Sequence, residues 1–183
     1  MTGFILCLYK ESGRDDIGVF TFFANRTRPE MENIIGMFAT GNHIRVKIVD
    51  SDSFHQCVEK VSESLNEAIM NQELMIEPPK SHAIKSLYDL VASRPVTCEL
   101  LNNTECVPFS GLNVERVYVS RTKSEYALRT FVVDSGNSIS LMFQYNLDLF
   151  DGADIRNIAI RTENIIKKII INPFSAISSL REL

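Results

Sequence analysis

Two adjoining runs set the organisation of the chain: Ala24-Asn25-Arg26-Thr27-Arg28-Pro29-Glu30, then Ile35-Gly36-Met37-Phe38-Ala39-Thr40-Gly41-Asn42-His43-Ile44-Arg45. Pro29 fixes its own φ and biases Arg28 towards extended backbone, so a preceding strand must stop here. Gly36 and Gly41 offer backbone freedom on either side of Phe38, the side chain expected to anchor the segment. A flexible polar elbow over 39–43 should lead into a strand over 43–49. There Ile44, Val46 and Ile48 point one way, and Arg45 and Lys47 the other.

Working outward, residues 2–12 read as a short helix with Phe4, Ile5, Leu8 and Tyr9 on one side and Gly13 as its stop. Residues 17–23 form a Val- and Phe-rich strand, apolar enough for burial on both faces. Ser53 and Gln56 make a capping box for a helix ending near Asn71, with Phe54, Val58, Val61, Leu65, Ala68 and Ile69 along its apolar stripe. Pro78-Pro79 breaks the chain before a helix over 81–93. Strands over 96–101 and 114–119 flank a polar loop over 102–113, a segment composed for disorder. Residues 125–133 and 138–145 pair as a hairpin through Asp134-Ser135-Gly136-Asn137.

A second informative run follows: Tyr145-Asn146-Leu147-Asp148-Leu149-Phe150-Asp151. Phe150 belongs in the core, and Asp151 caps a long helix with Asp154 in its first turn. Lys167 and Lys168 suit the dipole at the far end, and Glu163 can pair with Lys167 one turn on. Ile155, Ile158, Ile165, Ile166 and Ile169 supply the buried side, and Asn172-Pro173 ends the helix.

The 183 residues suffice for one domain with a real core; 45% are hydrophobic and 23% charged. A net charge of −4 without a basic block excludes a nucleic acid or anionic membrane surface as partner. No apolar run reaches the length of a membrane span, and no signal peptide is legible. Cys7, Cys57, Cys98 and Cys106 lack a Cys-x-x-Cys spacing and read as reduced, mostly buried thiols of a cytoplasmic protein; a Cys98–Cys106 disulfide is the lesser alternative. His43, His55 and His82 do not cluster with cysteine or acid at metal-ligand spacing, so no metal is expected. No phosphate loop, dinucleotide fingerprint or Gly-x-Ser-x-Gly occurs. Arg26 and Arg28 suit either contact with a phosphate group or a solvated, salt-bridged loop, and Arg45 reads as a structural ion pair beneath the elbow.

The chain resembles the condensation domain of nonribosomal peptide synthetases. That family reads Ala-Asn-Arg-x-Arg-Pro-Glu, then Ile-Gly-x-Phe-Val-Asn-Thr, then three residues and Arg. Residues 24–30, Ile35, Gly36, Phe38 and Arg45 match in kind and spacing, and Tyr145 to Asp151 matches the family's closing Tyr-Asn-x-Asp-Leu-Phe-Asp. Ala39-Thr40-Gly41 replaces Val-Asn-Thr, and the family's His-Gln-Asp-x-Pro-Phe-Glu survives in Asn71 to Glu77 only as Gln72, Glu77 and the acid at Glu73.

The resemblance implies an α/β two-layer sandwich of the chloramphenicol-acetyltransferase-like type, a mixed β-sheet with helices on one face. It covers residues 1–183 as a single unit, the C-terminal subdomain of a condensation domain. The implied chemistry is amide formation between two carrier-bound thioesters. Its His-His-x-x-x-Asp-Gly signature belongs to the absent N-terminal half, so this chain should not catalyse alone. It implies a substrate-channel or carrier-binding surface at Asn25, Arg26, Arg28, Thr40, Gly41, Asn42 and His43, with Gly36, Phe38, Arg45, Tyr145, Asn146, Asp148, Phe150 and Asp151 as structural residues. No cofactor binds directly; phosphopantetheine thioesters arrive on carrier proteins. The implied partners are the N-terminal half, an aminoacyl or peptidyl carrier protein, and a second copy through the exposed inter-half surface. A stand-alone carrier-docking module without catalysis is the alternative.

Overall fold

The computed structural model describes residues 1–72, 95–102, 110–114 and 124–182. The helix expected over 81–93, most of the strand over 114–119 and of the loop over 102–113, and also His82 and Cys106, lie outside those residues. Helix α1 (Thr2–Ser12) leads into β1 (Asp16–Phe23), β2 (Thr40–Lys47) and α2 (Phe54–Met70). Strands β3 (Val96–Asn102), β4 (Leu128–Asp134) and β5 (Ile139–Tyr145) follow, then helix α3 (Gly152–Ile171).

The five strands form one mixed sheet in the order β2-β1-β3-β4-β5. β1 and β2 pair antiparallel, as do β4 and β5, whereas β3 runs parallel to both its neighbours. Alternation along each strand places Ile17, Val19, Ile44, Val46, Cys98 and Leu128 on one face. They join Phe4, Ile5, Leu6, Cys57, Val61, Ile155, Ile158, Ile165 and Ile169 of the three helices in a single core.

Helix α1 departs from its expected one-sided pattern. Gly3, Phe4, Ile5, Leu6 and Cys7 are all buried, while Leu8 and Tyr9 are only partly so. The helix lies inside the layer, bounded by the sheet and α3, and Gly3 lets α3 come close: a methyl there would collide with the Ile166 side chain. Gly13 stops it in the left-handed region at φ 64°, its N–H bonded to the Tyr9 carbonyl. In α2 the buried stripe is Cys57 and Val61, with Phe54, Leu65 and Ala68 against the core, while Val58 and Ile69 face solvent. Those two lie one step off the 3.6-residue period that the others share. The Ser53–Gln56 capping box forms in both directions.

The elbow is a correction. β2 begins at Thr40, so Thr40, Gly41 and Asn42 pair with Phe23, Phe22 and Thr21 as strand residues. Helix α2 then seals the outer edge of β2, where unpaired backbone groups would otherwise be left open. Ser64 Oγ accepts the Arg45 N–H at 3.3 Å, Lys60 Nζ reaches the Lys47 carbonyl at 3.2 Å, and Asn42 Nδ2 reaches the Ala68 carbonyl at 3.2 Å.

The β4–β5 hairpin turns on Gly136 at φ 77°, whose N–H donates to Asp134 Oδ1 at 2.8 Å. Glycine supplies the positive φ and the aspartate carboxylate closes the turn. In the closing motif Asn146 is a buried hub. Its N–H donates to Ala127, its amide donates to Ser124 at 3.1 Å, and its side-chain oxygen accepts the Asp148 N–H at 2.8 Å. Phe150 is half-buried and packs on the edge of the core rather than inside it. Asp151 accepts the N–H groups of Ala153 and Asp154, and Asp154 returns a bond to the Asp151 N–H.

Those two amide donors hold the Asp151 carboxyl below its ordinary value. The stability it contributes is therefore fully present above the unfolded carboxylate pKa of about 3.9 and lost as pH falls through the lower folded value. Asp151→Ala should melt below the unaltered protein at pH 7, with the gap closing in acid, while Asp151→Asn retains most of the cap. In the core, the fully buried Ile44 and the exposed Ile139 make a contrasting pair. Ile44→Ala should cost about 2–5 kcal/mol in denaturant unfolding, and Ile139→Ala under about 0.5 kcal/mol.

Candidate functional site

β1 ends at Phe23, and Asn25 turns the chain at φ 49°. That is a left-handed conformation which asparagine tolerates better than most residues. Arg28 is extended at φ −125°, and Pro29–Met31 forms one 3-10 turn. The following proline requires that extension. Arg26 lies across the loop. Its Nη1 donates to the carbonyls of Met31 and Ile34, the latter at 3.0 Å, and its Nη2 to that of Gly36 at 3.4 Å. The same guanidinium sits 4.7 Å from the centroid of Phe38. Phe38 does anchor the segment, half-buried, through this cation–π contact rather than in the core.

Gly36 has an ordinary φ, and a methyl there would make only a normal contact with Phe38, so its place does not demand glycine. Gly41 is held by close approach instead: an added methyl would collide with the far end of the buried Phe20 ring. His43, opposite Phe20 in register, packs edge-on against the same ring at 5.0 Å. Desolvation there pushes its imidazole below the ordinary value, so it is neutral at pH 7. Thr40 Oγ1 is buried without a hydrogen-bond partner among the described residues.

Asn25, Arg26, Arg28, Thr40, Gly41, Asn42 and His43 thus come together at one place, the open end of the β1–β2 hairpin and the loop that closes it. Arg45 does not belong there. It pairs across from Gly18, and its guanidinium bonds both oxygens of Asp16 at the first residue of β1, on the surface and away from the loop. The alternation of β2 could have shown this, since Arg45 shares a face with the solvent-exposed Lys47.

A second polar cluster escaped sequence reading. Glu99 on β3 accepts two bonds from Arg129 on β4, at 2.6 and 2.9 Å, and a third from Thr97 Oγ1 at 3.2 Å. Phe22, Tyr126 and Phe131 surround the Arg129 guanidinium at 4.7 to 5.8 Å. The signal was present as charged residues alternating with apolar ones inside strands. Both charges are mostly buried, and each carboxylate oxygen of Glu99 takes a bond from the Arg129 guanidinium.

No activated nucleophile occurs among the described residues. Cys7, Cys57 and Cys98 are free, buried thiols, and burial pushes that of Cys57 up to about 11. A thiol so displaced carries almost no thiolate at neutral pH. His55 stacks on Phe174 at 5.4 Å and approaches Glu59. No group of three or more potential metal ligands occurs among the described residues.

The chain matches the Condensation domain family over residues 1–183, and it belongs to that family. It is 27% identical to cyclosporin synthetase simA of Tolypocladium inflatum over 187 residues, 98% of this chain and 1% of that protein. Among solved structures it is similar to the first condensation domain of the CDA synthetase, with a TM-score of 0.72 and 17% identity, covering 97% of this chain and 40% of that one. The starter condensation domain of rhizomide synthetase RzmA superposes with a TM-score of 0.79 at 13% identity, covering 100% and 44%. No described helix is long and apolar enough to cross a membrane.

The Phe20–Gly41 contact gives a direct test of the site's geometry. Gly41→Ala should destabilise the fold by about 1–3 kcal/mol through overpacking. Adding Phe20→Leu should return part of that loss, because the ring is what the methyl meets. Additive effects of the two changes in a double-mutant cycle would show that Gly41 is held for some other reason.

Proposed function

We propose that this chain is the C-terminal subdomain of a nonribosomal peptide synthetase condensation domain. It contributes the channel wall and the acceptor side to amide bond formation between carrier-bound thioesters. The observation that carries this reading is coverage: nearly all of the chain superposes on 40% of a condensation-domain structure. The order of its motifs supports it, since the family's two-histidine signature finds no counterpart at His43, His55 or His82.

In the reaction, the acceptor amine attacks the donor thioester carbonyl, a C–N bond forms, the C–S bond breaks and the thiol leaves. A base must take the amine's proton, and His43 is not placed for that role: it is neutral, packs on Phe20 and meets no orienting carboxylate among the described residues. Its part is to bind and orient the reacting arms and to exclude water. Asn25, Thr40, Gly41, Asn42 and His43 would form the wall. Arg28, exposed on the loop, is the better candidate for the phosphate of a phosphopantetheine arm, because Arg26 already gives three bonds to loop carbonyls.

The purified chain, given donor and acceptor aminoacyl carrier thioesters, should form no amide above background. Product formation by this chain alone, followed by mass spectrometry, would overturn the assignment of proton transfer to another part of the domain.

A further inference from the structure

The two edges of the sheet are finished differently. β2 lies under α2, whose Ser64 and Lys60 bond its backbone. β5, at the other edge, has β4 on one side and no strand on the other among the described residues. It also lacks the usual guards of an exposed edge. Its seven residues, Ile139 to Tyr145, include no proline, glycine or charge. Its ladder with β4 runs from Asp134 opposite Ile139 to Leu128 opposite Tyr145 without a bulge. Residues 135–147 carry no charge at all. Ile139 is 70% and Met142 41% exposed, and Leu141, Phe143 and Tyr145 are only half-buried.

We infer that β5 is a self-pairing edge, which joins β5 of a second copy of this chain antiparallel about a two-fold axis through Met142. The occupant follows from the strand's own sequence. In that register Ile139 faces Tyr145 of the second copy and Leu141 faces Phe143, so one side is apolar throughout. On the other side Ser140 faces Gln144, and Met142 faces its own twin. The nearest charges beyond the strand, Asp134 and Asp148, fall opposite Phe150 and Gly136, so no like charges meet across the axis. This register also pairs all seven residues of the strand. A slip of one residue would set Ser140 against Phe143 and Ile139 against Gln144, and would turn the two helix layers to opposite faces. The pairing does not depend on the subdomain reading above, and it uses a surface separate from the 24–43 segment.

Sedimentation equilibrium of the full chain should show monomer and dimer with a Kd of about 10 μM to 1 mM, the weak class expected of so small an interface. Amide exchange over residues 139–145 should slow as concentration rises, because outward N–H groups of β5 become bonded. Two double variants test the register. Ser140→Glu/Gln144→Glu sets like charges opposite each other on both sides of the axis and should weaken the dimer by about tenfold or more. Ser140→Lys/Gln144→Glu sets opposite charges there and should dimerise at least as well as the unaltered chain. Both carry the same change at Gln144, opposite Arg129 in β4, so its cost to the monomer is common to the two. A chain still monomeric at about 1 mM overturns the proposal. A dimer that both variants weaken alike overturns it too, as does exchange over 139–145 that ignores concentration. Association unmoved by the change of sign at Ser140 assigns the contact to another surface and overturns the pairing of β5.

Discussion

Gly3, Phe4, Ile5, Leu6 and Cys7 are five consecutive helical residues without appreciable solvent contact, and a helix buried on all sides needs an element on each of them. The sheet covers one side of α1 and α3 the other, with α2 touching it as well. The closeness of α3 depends on the missing side chain at Gly3, over which Ile166 lies. Gly13 then reverses the chain within a few residues, so β1 enters the sheet directly beside α1 and takes an inner position between β2 and β3. Everything at the candidate site hangs from the far end of that strand.

From β1 the order reaches the site through one ring. Ile17 and Val19 face the helices, so alternation sends Phe20 to the opposite face, where it meets Gly41 and His43 of β2. The antiparallel ladder runs out to Phe23 opposite Thr40, and so fixes the two points between which the 24–39 segment must span. Arg26 organises that segment internally. Its contacts are to backbone carbonyls, so they constrain the path of the loop without depending on the identity of the side chains at Met31, Ile34 and Gly36.

The elements that could be read in the sequence are those with local signals. The capping boxes at Ser53 and Asp151, the glycine stop at Gly13 and the hairpin turn at Gly136 each rest on interactions spanning a few residues. What could not be read depends on packing across the chain. Polar residues at Thr40, Gly41 and Asn42 suggested a flexible elbow, yet pairing with Phe23, Phe22 and Thr21 makes them a strand. Phe4, Ile5, Leu8 and Tyr9 suggested a surface helix because an amphipathic pattern is the usual one, whereas enclosure by α3 buries Leu6 and Cys7 too. In the β1–β2 hairpin and its loop, the partners of Arg26 and Arg45 were beyond reach of the sequence. Carbonyl acceptors leave no trace in a sequence, and Asp16 lies too far along the chain to be paired with Arg45 before the hairpin register is known.

The treatment of two exposed features differs in a way that bears on their use. The outer edge of β2 is an open row of backbone groups of the kind that promotes unwanted pairing, and α2 answers it with Ser64 and Lys60, whose side chains bond to that backbone. The apolar tip at Ile35 and Met37, a few residues before the same strand, receives no cover at all and is instead held rigid from below. Hydrophobic side chains fixed outward carry a solvation cost that a mobile loop could reduce by folding them inward. Arg26 blocks that relief by tying down the backbone on both sides of the tip. The chain thus closes one vulnerable edge with specific hydrogen bonds and, with equally specific hydrogen bonds from Arg26, fixes the backbone that carries Ile35 and Met37 outward.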